Sequence, residues 1–142
     1  VMEERLLLFS AGGEQLAFPL HEVCEVMELQ PSYPFPRAPR HFVGLINFHG
    51  NLTALVDLER FIGREGGGKH GKVLVLDTKI AHLALLVDGV RSILPAGAIL
   101  GAAPLEGDPI ATGTLETEHG TFRLLAVDRL VESLEQGLKK NS

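Results

Sequence analysis

Apolar residues in this chain come in short runs broken by Gly, Pro and polar turns, which is the pattern of strands, not of long helices. The clearest unit is FVGLINFHGNLTALVDLERFIG, residues 42–63. Two apolar runs, 43–48 and 52–56, flank His49-Gly50-Asn51 and predict a β-hairpin. Asp57 can accept backbone N–H bonds at the head of a helical turn over 58–62, and Gly63 can end it.

Upstream, strands are expected at 5–11 and 15–20 around Gly12-Gly13, with Pro19 tolerated near a strand end. Residues 21–23 fit a single helical turn, and 24–29 alternate like a half-exposed strand. Pro31, Pro34, Pro36 and Pro39 force an extended, non-regular crossing, and 38–42 fit another helical turn. Residues 64–72 form a polar, Gly-rich loop. Further strands are predicted at 72–78, 81–87 and 91–95, with a turn at Asp88-Gly89-Val90. Residues 96–109 read as irregular. A second hairpin, 111–117 and 121–127, turns at 118–120, and Asp128 is placed to cap a helix over 129–136.

The two halves repeat each other. Residues 16–23 match 83–90, and 6–9 match 73–76, both at an offset of 67. Gly50, Leu52 and Leu55 align with Gly120, Phe122 and Leu125, and one extra residue brings Asp57 onto Asp128. Each half thus carries five strand candidates and one helix, enough to close a small barrel. The expected fold is mainly β, two such barrels packed together, with approximate halves 1–65 and 72–131 and a helix and tail over 128–142. A ten-strand sandwich is the structural alternative.

Composition narrows the function. A net charge of −5 argues against a nucleic-acid partner, because phosphates need a concentrated basic surface. The one cysteine, Cys24, fits a reducing compartment. No run has the length of a membrane span and no signal peptide is evident, so a soluble cytoplasmic protein is expected. Residues 63–70 nearly spell a phosphate-binding loop, but His70 replaces the hydroxyl and a strand follows where a helix should. The six histidines lack metal-ligand spacing. Asp57, Asp88 and Asp128 recur after strands, as caps do, and Glu22 and Glu25 oppose a thiolate at Cys24. No catalytic residue, metal or cofactor is expected.

Four separated stretches, LAFPLHEVCEVMEL, the hairpin unit above, LALLVDGVRSIL and LLAVDRLV, occur in an order that resembles the CheW family of chemosensory coupling proteins. The resemblance runs from Leu6 to Val131. It implies a single domain of two five-stranded SH3-like barrels without enzymatic activity. It also implies two partners, the regulatory domain of a CheA-type histidine kinase, itself CheW-like, and the cytoplasmic tip of a methyl-accepting chemoreceptor. Partner-facing positions carried over are Val23, Glu25, Gly44, Leu45, Asn47, Phe48, His49, Gly50 and Val87. The protein would be cytoplasmic, recruited to membrane receptor arrays without inserting into the bilayer. A coupling role in surface motility or development is an alternative within the family, and a small ligand-binding barrel is one outside it. The family's hairpin text is close to GLINLRG. Here His49 replaces the always-charged Arg fork with a smaller, mostly neutral ring, and Phe48 replaces an aliphatic residue.

Overall fold

The computed structural model describes residues 5–34, 36–63 and 71–140, the last three without their side chains. Eleven strands run in chain order: β1 Leu6–Ala11, β2 Glu14–Pro19, β3 Val23–Glu28, β4 Phe42–Phe48, β5 Asn51–Asp57, β6 Lys72–Leu76, β7 Leu83–Val87, β8 Gly89–Leu94, β9 Gly101–Pro104, β10 Ala111–Thr117 and β11 Gly120–Leu125. Two helices, α1 Leu58–Phe61 and α2 Val127–Lys140, and 3-10 turns at Leu20–Glu22 and Ala96–Ala98 complete the chain. The fold is mainly β, two small SH3-like barrels with few helices.

The barrels do not follow the halves of the sequence. One sheet has the order β8-β1-β2-β11-β10-β9, the other β3-β6-β7-β5-β4. The hairpin β1–β2 of the first half is inserted between β8 and β11 of the second. Hairpin β6–β7 is inserted in the same way between β3 and β5. Each insertion makes one antiparallel joint, β1–β8 or β3–β6, and one parallel joint, β2–β11 or β5–β7. The division at 65 and 72 therefore describes the repeat, not the barrels. Sequence similarity finds the repeat, but it cannot reveal which copy of a hairpin pairs with which copy of its flanking strands.

Exchange explains why the inserted strands are apolar on both faces. In β1, Leu6 and Leu8 fill their own barrel, while Leu7, Phe9 and Ala11 fill a core shared by both. In β6, Val73 and Val75 point inward, and Leu74 and Leu76 point into the shared core. Alternation of side chains makes this division automatic. Phe9 and Phe18 stack at 5.4 Å in the shared core. Leu58, Val127, Leu130 and Leu134 close it from the helices.

Other expectations are corrected. Residues 96–109 contain β9, so one barrel has six strands. Asp88-Gly89-Val90 is no hairpin turn; the chain there leaves one sheet and enters the other. Asp88 caps no helix, but its Oδ2 accepts from the Gly13 N–H at 3.3 Å. Residues 38–42 make a turn, Phe42 N–H to Pro39 O, and no helix. The glycine-rich loop expected at 64–72 falls mostly at 64–70, outside the described residues.

Asp57 does cap α1, accepting the Arg60 N–H at 3.3 Å. Asp128 does not repeat this, because strand pairing sets the offset of the second hairpin at 69: Gly44 faces Leu55 as Gly113 faces Leu124. Asp57 then corresponds to Ala126, which has no acceptor side chain. Glu22 supplies one from a distance, its Oε1 accepting the Val127 N–H at 2.8 Å. The carboxylate also complements the positive end of the helix.

Candidate functional site

Strands β3 and β4 are the two ends of the five-stranded sheet, and the hairpin tip of β4–β5 spans the seam between them. Phe48 pairs with Asn51, leaving a two-residue turn of His49 (φ 49°) and Gly50 (φ 83°). Two positive φ values in succession match the twist of a tight hairpin. Glycine adopts this conformation freely, and histidine tolerates it better than most side chains. Asn47 Oδ1 accepts the Gly50 N–H at 2.8 Å and fixes the turn. The His49 ring meets Phe48 edge-on at 4.3 Å. Its Nε2 lies 3.7 Å from Glu25 Oε1 on β3, with side chains 72% and 46% exposed. The structure thus brings Glu25, Asn47, His49 and Gly50 together at one solvent-facing seam, an exposed pair with little bearing on stability.

Other expected positions are placed differently. Val87 is fully buried in the shared core and Phe48 is 6% exposed inside its own barrel, so neither offers a surface. Phe48 lies on the inward face of β4, whereas Val87 belongs to an inserted strand buried on both faces. Val23 is half-buried against the shared core, and Leu45 is half-buried on β4. Gly44 is buried beneath the proline-rich crossing. Tyr33 N–H donates to Leu45 O at 2.8 Å, and Leu45 N–H donates to Tyr33 O at 2.7 Å. A Cβ on Gly44 would lie 2.3 Å from Tyr33 O. This glycine is therefore required by a close backbone approach. Exposed apolar side chains were not singled out by the pattern: Tyr33 (71%), Leu52 (64%) and Val26 (40%) surround the same barrel. Leu52 sits opposite Asn47 on the hairpin. The alternation of β5 marks it as outward-facing, but only the structure shows that nothing covers it.

Shallow clefts flank α2, among them a polar one of about 280 Å³ lined by Pro109, Arg129, Glu132, Ser133 and Gln136 and two more. One, about 270 Å³, is lined by Phe61, Ile62, Ile110, Arg123 and Ser133. The other, about 160 Å³ and mostly apolar, is lined by Phe42, Ala81, Leu83, Val131 and Leu134. Beside the cleft at Phe61, Arg123 Nη1 donates to Glu14 Oε1 at 2.9 Å and Nη2 to Asp108 Oδ2 at 2.7 Å. Burial pushes the Asp108 carboxyl up, but the N–H groups of Ala111 and Ile110 and the Arg123 guanidinium together hold it below its ordinary value. Arg123 is correspondingly raised, its own burial outweighed by Asp108 and Glu14. This cluster is spent on internal pairing. His41, with Phe42 and Phe61 each at 4.9 Å, is lowered by burial. Among the described residues, no group of three or more His, Cys, Asp or Glu side chains could hold a metal. Cys24 is exposed on β3. No helix of the described residues is long and apolar enough to cross a membrane.

A family model described as "CheW-like domain" matches residues 5–135. Among curated proteins, the chemotaxis protein CheW of Rhizobium meliloti is 29% identical over 63% of this chain and 59% of its own length. That of Thermotoga maritima is 32% identical over 65% and 62%. Protein FrzA of Myxococcus xanthus is 26% identical over 94% of this chain and 89% of its own. The chain spans about three fifths of the length of the chemotaxis relatives it matches. The scaffolding protein TtCheW from Thermoanaerobacter tengcongensis superposes with a TM-score of 0.74 at 21% identity, covering 88% of this chain and 90% of that one. At that identity the likeness concerns the fold.

Proposed function

The chain belongs to the CheW-like domain family, and from that premise we propose that it is a non-enzymatic adaptor coupling chemoreceptors to a CheA-type histidine kinase. The family match across both barrels carries this reading, and relatives named as chemotaxis proteins support it. The kinase regulatory domain and the receptor tip are the proposed partners. The protein works in the cytoplasm, recruited to membrane-bound receptor arrays.

The seam of Glu25, Asn47, His49 and Gly50, with Leu45 and Leu52 beside it, is the proposed docking surface for the kinase. The apolar cleft of Phe42, Ala81, Leu83 and Val131 suits one face of a helical hairpin from a receptor. Two modest interfaces used together give avidity that neither supplies alone. A coupling role outside chemotaxis is the second reading, favoured by the match to Protein FrzA over 94% of the chain. Pull-down of a CheA-type regulatory domain and a receptor tip by the purified protein tests the adaptor reading. Capture of neither, together with a metabolite-dependent rise in melting temperature, would replace it with a ligand-binding barrel.

A further inference from the structure

The sheet order makes two halves of the chain, 5–63 and 71–140, depend on each other. Among the described residues, the first half holds the hairpins β1–β2 and β4–β5, which lie in different sheets, and β3, which pairs only with β6 of the second half. An isolated hairpin is marginal in water, so residues 5–63 have no stable sheet of their own. The joints β1–β8, β2–β11, β3–β6 and β5–β7 supply one, each taking one strand from either half.

The interiors are mixed in the same way. One barrel sets Leu6, Leu8 and Ala17 of the first half against Leu94, Leu115 and Phe122 of the second. The other sets Ile46, Phe48 and Leu55 against Val73, Val75, Ala84 and Leu86. Polar contacts cross as well. Asp77 N–H donates to Glu22 O at 2.8 Å, Val127 N–H to Glu22 Oε1 at 2.8 Å, and Arg123 Nη1 to Glu14 Oε1 at 2.9 Å. The only covalent link between the halves is 64–70, REGGGKH. None of these contacts depends on which copy of the chain the complementary half belongs to.

We propose that a second copy of this chain supplies the complementary half, giving an exchanged dimer of two complete double-barrel bodies in which 5–63 of each copy pairs with 71–140 of the other. The occupant is fixed by the structure, because the surface each half needs is the one its own chain already presents. Each body keeps its seam of Glu25, Asn47 and His49, carried by the first half alone. Its apolar cleft becomes composite, with Phe42 from one copy and Ala81, Leu83, Val131 and Leu134 from the other. Exchange takes place while both halves are unpaired, on refolding or during synthesis, when 5–63 emerge first. It uses no surface of the folded monomer, and it stands or falls independently of the adaptor reading. A link as short as 64–70 sets the effective concentration of the two halves on the order of 1 mM. The monomer therefore prevails well below that concentration, and the dimer rises near it.

The test unfolds the full chain in guanidinium, refolds it at about 1 μM and at about 1 mM, and sizes the products. Roughly half of the chains should be dimeric at the higher concentration and less than about a hundredth at the lower. Exchanged copies part only by unfolding, so the dimer should outlast dilution to about 1 μM in native buffer and return to monomer only through denaturant, whereas a dimer held by surface patches would dissociate on dilution. Isotopically heavy and light chains are then refolded together and cut at a protease site inserted between Gly67 and Gly68. Native mass spectrometry should find bodies that pair a heavy half with a light one. Cut bodies that are all heavy or all light overturn the proposal. So does a chain wholly monomeric at about 1 mM, or a cut body whose halves separate in native buffer. The dilution measurement needs no variant and decides the matter if the inserted site prevents folding.

Discussion

Gly44→Ala isolates the contact that holds the crossing segment on β4. The new Cβ would lie 2.3 Å from Tyr33 O and 2.8 Å from Tyr33 C, where ordinary contact begins at 3.4 Å. Backbone atoms cannot rotate away, so Tyr33 must retreat by about 1 Å, which breaks bonds that now measure 2.8 and 2.7 Å. Two backbone hydrogen bonds at about 1 kcal/mol each set the loss near 2 kcal/mol. The lower entropy of alanine in a strand returns about 0.5 kcal/mol. For a chain of this size, a net loss of about 1.5 kcal/mol lowers the melting temperature by about 5 °C. Calorimetry and urea unfolding should agree on the sign, with an unchanged urea slope because the exposed area is the same. A melting temperature within 2 °C of the native value would show that Tyr33 yields at no cost, and the close-approach reasoning would fail. Gly44 therefore serves the fold through its close approach to Tyr33. Gly113, whose Cβ would lie 2.7 Å from Ala103 O, should respond in the same direction.

Glu22→Ala should cost about 1 kcal/mol by uncapping α2, and Glu22→Gln less, since an acceptor oxygen remains; urea midpoints followed by helix dichroism check both. Acidification should destabilise the protein in two windows. The imidazole of His41 is held below its ordinary 6.5, so the unfolded chain binds the proton more readily and stability falls as the pH drops through that value. Asp108 is also depressed; its contribution is complete above 3.8 and is lost as the pH falls through the lower folded value. Asp108→Asn should flatten only the second window in urea titrations across pH. His49→Arg should leave the melting temperature within about 2 °C, because the side chain is exposed and meets only an exposed acid. It should tighten capture of the kinase domain at pH 8, because Arg presents a permanently charged five-donor fork where His offers a smaller ring; unchanged capture would reduce His49 to a turn residue.

Local elements were legible in the sequence because their signals are local. The His49-Gly50 hairpin, the cap at Asp57 and the strands around Gly12-Gly13 depend on neighbours within a few residues. Failures occurred where the deciding partner is distant. Asp128 looked like Asp57 in the text, but pairing across β10 and β11 shifts the register and leaves Ala126 at the cap position. Its substitute, Glu22, comes from more than a hundred residues away, and no spacing rule reaches so far. Strand β9 was missed because Gly101-Ala102-Ala103-Pro104 has little strand propensity; it exists because Gly113 allows it to lie close. The surface followed the same division. Glu25, Asn47 and His49 lie together at one exposed seam, whereas Phe48 faces the inside of its barrel and Val87 belongs to a strand buried on both faces, which only long-range packing decides.

Exchange of the β1–β2 and β6–β7 hairpins bears directly on the proposed adaptor role. Were each half a barrel, the two would meet through side chains alone, and domain interfaces of that kind permit relative motion. Here both parallel joints, β2–β11 and β5–β7, are backbone hydrogen-bonded connections between the halves. The shared core also draws Phe9, Leu16 and Phe18 from one inserted hairpin and Leu74, Leu85 and Val87 from the other. Turning one barrel against the other would have to expose this core and break sheet pairing together. The seam at His49 and the cleft beside Val131 are therefore held at one fixed relation. Such a fixed relation makes the binding of one partner geometrically informative to a second, without any moving part within the chain.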